Sequence, residues 1–237
     1  MRLSAFAVSD IGCVRRENED SFLCDEQTGL FGIADGIGGL PGGAQASRQA
    51  LLALQAWLDR QPAGVALDYE AAVREVNAAV HDLGRRISPR CGIGTTLTVG
   101  HIAADTLHLL HVGDSFLFRL RRGTLEVLTR EHNVANEMKL RAARGQSPFG
   151  LHDNPAALTR CIGQPPPLAG DCSAHPLAPG DRYLFCTDGI TRCVSQPEIV
   201  DRLQATAEPE PAARALVELA NSRGGLDNAT AVVLFVD

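Results

Sequence analysis

The chain has no apolar run approaching the roughly 20 residues of a membrane-spanning helix. Its opening, MRLSAFAVSDIG, holds too short an apolar stretch for a signal-peptide core. There is no basic arm and no Lys/Arg stripe, and the net charge is −6, which argues against nucleic acid as a partner. No C-x-x-C pair occurs among the cysteines, Cys13, Cys24, Cys91, Cys161, Cys172, Cys186 and Cys193, and seven is an odd number. A disulfide framework and a zinc ribbon are both poorly supported, and most of these thiols read as small buried hydrophobes. Repeats and low-complexity tracts are missing too. GGLPGG, QPPP and EPEP are short enough to be loops within one domain covering residues 1–237. With 45% hydrophobic and 21% charged residues, the expectation is a soluble, cytoplasmic globular protein with no membrane partner.

Apolar residues recur at helical spacing from Ala46 to Arg60 and from Asp68 to Ile87. The period then changes. GTTLTVGHI, TLHLLHV, SFLFRL and TLEVLT are strand-type runs on tight connections, which predicts an antiparallel meander. A helix is expected within Glu131 to Arg144, followed by an irregular stretch to Pro167. Strands return at DRYLFCT and ATAVVLFV, with a helix across Pro211 to Asn221 between them. Grouped strands with helix pairs before and after give an α+β class, antiparallel sheets covered by helices.

The chemistry lies in the placement of acids. LFGIADG ends an apolar strand at Asp35, LHLLHVGDS at Asp114 and RYLFCTDG at Asp188, while Asp227 precedes the last strand and NED holds Glu19 and Asp20 before SFLC. Taken singly, an Asp-Gly is a turn. Several strand-end carboxylates on one rim would repel one another without a counter-charge. A hard divalent cation supplies it, and all-oxygen ligands favour magnesium, manganese or calcium over zinc. Gly36 and Gly189 leave room beside Asp35 and Asp188 for backbone carbonyls and metal-bound water. Two-metal hydrolysis of a phosphoryl group suits such a cluster. Arg15 or Arg16, just before the acidic knot, can hold phosphate oxygens through a bidentate guanidinium, or simply pair with Glu17 or Glu19 at the surface.

In this order the segments SDIGCVRRENEDSF, GIADGIGG, GIGTTLTVG, LHVGDSFLFRL, LTREHN, LTRCIG, YLFCTDGI and GLDNATAVV resemble the type 2C metal-dependent protein phosphatases, in the short bacterial form, across residues 9 to 236. The resemblance implies a four-layer α-β-β-α sandwich of two antiparallel sheets, with two Mn or Mg ions in a cleft at one end. It implies that Asp35 bridges the ions, that the Gly36 carbonyl, Asp188 and Asp227 complete the two sites, and that Glu19 and Asp20 act through metal-bound water. Asp114, together with Asp188, matches the acid of a weaker third site, and Arg15 rather than Arg16 matches the phosphate-binding arginine. The implied activity is hydrolysis of phosphoserine and phosphothreonine in proteins, opposing a cognate Ser/Thr kinase and acting on its substrates; nothing demands more than a monomer. Residues 131–167 correspond to a variable flap. Leu40 stands where the bacterial pattern often has His, and Ile37 where animal members carry a proposed general-acid His.

Other readings are weaker. Cys186 to Arg192 fits a C-x5-R cysteine-phosphatase loop, but Asp188 inside the cradle would repel a phosphate dianion. A non-catalytic relative would be expected to have lost acids that are all present. GIGGLPGG lacks the P-loop Lys, and flexibility near a metal site explains its glycines. His81, His101, His108, His111, His132, His152 and His175 lack ligand spacing, and no catalytic role is assigned to His132. His108 and His111 should face opposite sides of one strand.

Overall fold

Ten strands and six helices are formed by the residues that the computed structural model describes, 1–62, 64–147 and 154–237. One sheet runs β1 (Leu3–Asp10), β10 (Ala229–Val236), β9 (Arg182–Cys186), β6 (Phe116–Arg121) and β7 (Thr124–Val127). The other runs β2 (Asp20–Asp25), β3 (Leu30–Asp35), β4 (Leu97–Ala103), β5 (Thr106–Val112) and β8 (Asp171–Pro176). Every pairing is antiparallel.

Helices α1 (Gly43–Asp59) and α2 (Tyr69–Ile87) cover the second sheet. The α1 residues Ala46, Ala50, Leu54 and Trp57 and the α2 residues Ala72, Val73, Val76 and Val80 turn one stripe onto Leu97, Val99, Leu110 and Val112. Asp68 starts α2 by accepting the Ala71 N–H at 2.9 Å. Helices α5 (Gln196–Gln204) and α6 (Pro209–Ser222) cover the first sheet, α5 opening on a capping box of Ser195 and Glu198. Between the sheets lie Phe31, Ile33, Leu107, Leu117, Tyr183, Phe185 and Val232. Each large apolar side chain so buried contributes roughly 1.5–3 kcal/mol. The layers are therefore α-β-β-α. Strand β10 has both faces covered, which is why its sequence is an unbroken apolar run.

The predicted meander does not form. Strands β4 and β5 make a hairpin in one sheet, β6 and β7 a hairpin in the other, and the chain crosses between sheets at Gly113–Ser115. A short Gly-Asp connection fits a hairpin or a corner, and only the packing of both flanking strands against a shared inner layer decides. Strands β1 and β8 have no counterpart among the strand runs above. The first is half-buried along its whole length and the second is mostly exposed, so neither shows a clear apolar alternation. The reading of most thiols as buried also fails. Only Cys186 is buried; Cys13, Cys91 and Cys172 are exposed and the rest intermediate, all of them free. Helix α3 (Val134–Ala143) starts later than the expected span because Asn133 caps it, accepting the Asn136 N–H at 2.9 Å. Residues 148–153, which include His152 and part of the flap, lie outside the described residues. No helix among those described is long and apolar enough to cross a membrane.

Candidate active site

Antiparallel register brings the acids to one end of the sandwich. The start of β2 pairs with the end of β3, so Asp20 lies directly opposite Asp35. Asp114 sits on the crossover, Asp188 follows β9, and Asp227 precedes the antiparallel neighbour β10. Like charges directly opposed on a sheet are destabilising, so this arrangement has to be held from outside. The backbone does much of the holding around Asp35. Its N–H donates to the Thr96 hydroxyl at 2.9 Å, and its carbonyl accepts from the Thr96 N–H and the Thr95 hydroxyl, both at 2.8 Å.

Asp20 reaches between the sheets. Its Oδ2 accepts from the Thr230 hydroxyl at 2.6 Å and the Thr187 hydroxyl at 3.1 Å, while Oδ1 is buried with no partner. Burial pushes its carboxyl up to about 7 against those hydroxyls, with Asp188 and Asp227 adding repulsion. Burial likewise raises Asp114 to about 7, with Asp188 next. Asp35 is held well above the carboxylate range by burial and then by Asp20, Asp188, Asp114 and Asp227. Asp188 is raised by burial despite the opposing Arg192. Glu19, raised mainly by burial, faces the first turn of α1 through the Gly43 N–H.

Two arginines meet these acids. Arg15 Nη2 donates to Asp227 Oδ2 at 2.8 Å and approaches Glu19 at 4.0 Å, so its main partner is Asp227 rather than a surface Glu. Arg192 pairs with Asp188 and, at 3.4 Å, with Asp227 Oδ2. In the glycine loop before α1, Gly36 and Gly38 serve close packing, while a Cβ on Gly39 would meet nothing within 4 Å. A Cβ on Gly38 would lie 2.5 Å from Arg15 Nη1, and one on Gly36 would lie 2.5 Å from the Gly43 carbonyl and 2.8 Å from that of Glu19. At Gly189 the occupant is the Asn228 carbonyl.

Residues the sequence reading passed over hold the frame. Asn228 donates to the Ile11 carbonyl at 2.9 Å and the Glu17 carbonyl at 3.0 Å, and accepts the Glu19 N–H at 2.9 Å, which fastens the Arg15 loop to β10. His132 exchanges two bonds with Gly113, its ring Nδ1 accepting the Gly113 N–H at 3.1 Å and its backbone N–H donating to the Gly113 carbonyl at 2.7 Å, and so fixes the crossover carrying Asp114. In the sequence Asn228 and His132 stand out only as members of the GLDNATAVV and LTREHN segments, and nothing there marks their frame role, because their partners are backbone. His108 and His111 do face opposite sides, His111 bonding the Thr98 hydroxyl and His108 stacking on Tyr69. Cys186 lies in the core with its thiol pushed far up by burial, which excludes it as a nucleophile.

The donor set suits a hard cation. It consists of carboxylates and a backbone carbonyl, one buried carboxylate oxygen has no partner, and the acids are raised by burial and by one another. Among the described residues no three His, Cys, Asp or Glu side chains already close around one point, since Asp188 and Asp227 lean towards the arginines.

The raised acids set a pH dependence. Asp20 and Asp114 hold protons up to about 7 in the folded chain but only to 3.8 when unfolded, so the stability they contribute is complete below about pH 4 and lost as pH rises through 7. His111 and His132, lowered to about 3 and about 4 mainly by burial, act in the opposite sense, but only up to the unfolded histidine value of about 6.5. In EDTA the melting temperature should therefore fall from about pH 6.5 to about 8, and the rise produced by manganese should be larger at about pH 8 than at about pH 6. Thermal melts check this, and a manganese shift that is constant over that range counts against it.

Fold and site together place the chain among the metal-dependent protein phosphatases. It belongs to the protein phosphatase 2C family, whose profile matches residues 15–222. It is 36% identical over 235 residues to the serine/threonine protein phosphatase PstP of Mycobacterium tuberculosis, covering 96% of this chain and 44% of that protein, so it spans less than half the length of that relative. Protein phosphatase PhpP of Streptococcus pneumoniae is 30% identical over 239 residues, covering 96% of this chain and 95% of PhpP. A solved structure of the PstP catalytic domain in complex with two manganese ions superposes with a TM-score of 0.83 at 34% identity, covering 99% of each chain.

Proposed function

We propose that the chain, as one catalytic domain over residues 1–237, hydrolyses phosphoserine and phosphothreonine in proteins and so opposes a Ser/Thr kinase. The observation that carries this is the gathering of Asp20, Asp35, Asp114, Asp188 and Asp227, from five separate stretches of chain, at one end of the sandwich beside Arg15. Asp35, the Gly36 carbonyl, Asp188 and Asp227 would hold two Mn or Mg ions, with Asp114 serving a third and with Glu19 and Asp20 behind them. When bound, the ions supply the Lewis acidity that activates water and the charge that offsets the phosphoryl oxygens.

The chain's own residues do the positioning. Arg15, backed by Gly38, presents its guanidinium at the rim, where it can grip two phosphate oxygens in the plane of its fork. Asn228 keeps that loop in register with Asp227, which fixes the distance between the phosphate grip and the acids. The hydroxyls of Thr187 and Thr230 hold Asp20 in one rotamer, so a carboxylate stays aimed at the space beside Asp35.

The test is turnover of p-nitrophenyl phosphate and a phosphothreonine peptide with EDTA, then with Mn or Mg restored. Turnover should vanish with the chelator and return with the ion, and activity that survives EDTA removes the proposal. In the same assay Arg15→Ala should raise KM more than it lowers kcat, and an unchanged KM would remove Arg15 from the phosphate site.

A further inference from the structure

The two most exposed large hydrophobic side chains among the described residues are Leu226, at 67%, and Val14, at 61%. Each is the chain neighbour of one member of the Arg15–Asp227 ion pair, whose nitrogen and oxygen are 2.8 Å apart. Two exposed apolar residues are thus next in the chain to the Arg15–Asp227 contact, on loops that the contacts below tie together, and Ile11, 39% exposed, extends the first loop. The loops are built to stay there. The Cys13 N–H donates to the Gly225 carbonyl at 2.7 Å, Asn228 donates to the Ile11 carbonyl at 2.9 Å, and a Cβ on Gly12 would strike the Gly225 carbonyl at 2.7 Å. Loops held in place before binding lower the ordering cost of a contact, so apolar groups fixed next to a binding site are suited to meet a bound segment.

We infer that Val14 and Leu226 form a ledge that receives an aliphatic side chain lying within about two residues of the phosphorylated one in the substrate protein, an assignment that rests on the phosphatase reading above. The size of the ledge selects this occupant. Two side chains are far less than the roughly 800 Å² per partner that a stable protein pair buries, so a second folded copy finds too little here. A short extended segment needs no more. Once Arg15 holds the phosphate, the next side chains of the segment lie about 3.3 Å per residue from that point, and Val14 and Leu226 are the exposed apolar neighbours of Arg15 and Asp227 in the chain.

The experiment compares three substrates with manganese present: p-nitrophenyl phosphate, a phosphothreonine peptide with leucine on both sides, and the same peptide with serine in those places. The wild type should favour the leucine peptide about tenfold in kcat/KM. The double variant Val14→Ser, Leu226→Ser should lose that preference while turning over p-nitrophenyl phosphate within about twofold of wild type. A wild type indifferent to the flanking residue, or a double variant that keeps the preference, overturns the ledge. So does a variant that loses p-nitrophenyl phosphate turnover in step with peptide turnover, because the loops would then serve only to place Arg15. Self-association of the wild type by size exclusion, abolished in the double variant, would assign the ledge to a second copy and overturn the inference as well. A wild type inactive on all three substrates would instead sink the phosphatase reading, and the ledge with it.

Discussion

Asp35→Asn should give a folded protein whose turnover with manganese is lower by roughly a thousandfold or more. The strand end that carries Asp35 is fixed through its backbone, by the Thr96 hydroxyl and N–H and by the Thr95 hydroxyl, and none of these bonds uses the carboxylate. An amide of the same shape therefore fits without repacking. What it removes is the carboxyl at the centre of the cluster, the one that can ionise towards a cation and on which Asp20, Asp188, Asp114 and Asp227 all bear. Without metal, Asp35 is held well above the carboxylate range and is mostly protonated, a form the amide resembles, so the melting temperature in EDTA should stay about level while the stabilisation by manganese shrinks. Steady-state kinetics and thermal melts on one preparation separate the two effects. Near-normal turnover with manganese would show that the carboxylate is dispensable, and a collapse of the melting temperature would show that the side chain is structural.

The strand-end acids were legible as a group because a buried strand advertises itself as an apolar run and a turn closes it, Asp-Gly at Asp35 and Asp188 and Gly-Asp at Asp114. That their strands end on the same rim follows from antiparallel pairing, which the residues alone left open and the family resemblance supplied. The meander failed for a related reason. Alternation in β5 and β6 specifies a buried face for each, but not that the two faces belong to different sheets. Arg192 drew notice only as the end of a C-x5-R match, yet it is the main opposing charge on Asp188, a relation one helical turn creates by bringing positions 188 and 192 together. Asn228 and His132 escaped because they act on carbonyls and N–H groups of distant loops, and backbone partners leave no mark in a sequence. The glycines of the loop before α1 were visible, but the reason for two of them was not: the room beside Gly38 is filled by Arg15 and the room beside Gly36 by neighbouring carbonyls.

Gly189→Ala should cost both stability and activity, and for one geometric reason. Gly189 follows Asp188 in α4 (Asp188–Thr191), and a Cβ there would collide with the backbone carbonyl of Asn228 and lie 3.0 Å from its carbonyl carbon. Neither side yields cheaply. The Asn228 side chain is tied to Ile11, Glu17 and Glu19, and the chain beyond it enters the fully buried β10. On the other side, Ile190 packs into the core beneath α5 and α6. Relief must come from parting α4 from the start of β10, at about 2–3 kcal/mol, and the melting temperature should fall by several degrees. The same parting moves Asp188 away from Asp227, and a shift on the order of 1 Å between two groups meant to act on one ion pair costs about a hundredfold in rate. The apparent affinity for manganese, read by titration against the melting temperature, should weaken in parallel. If Gly189→Ala melts and turns over like the wild type, the close approach of Asp188 and Asp227 is not what the site depends on. Loss of stability with metal affinity unchanged would make Gly189 a packing residue alone.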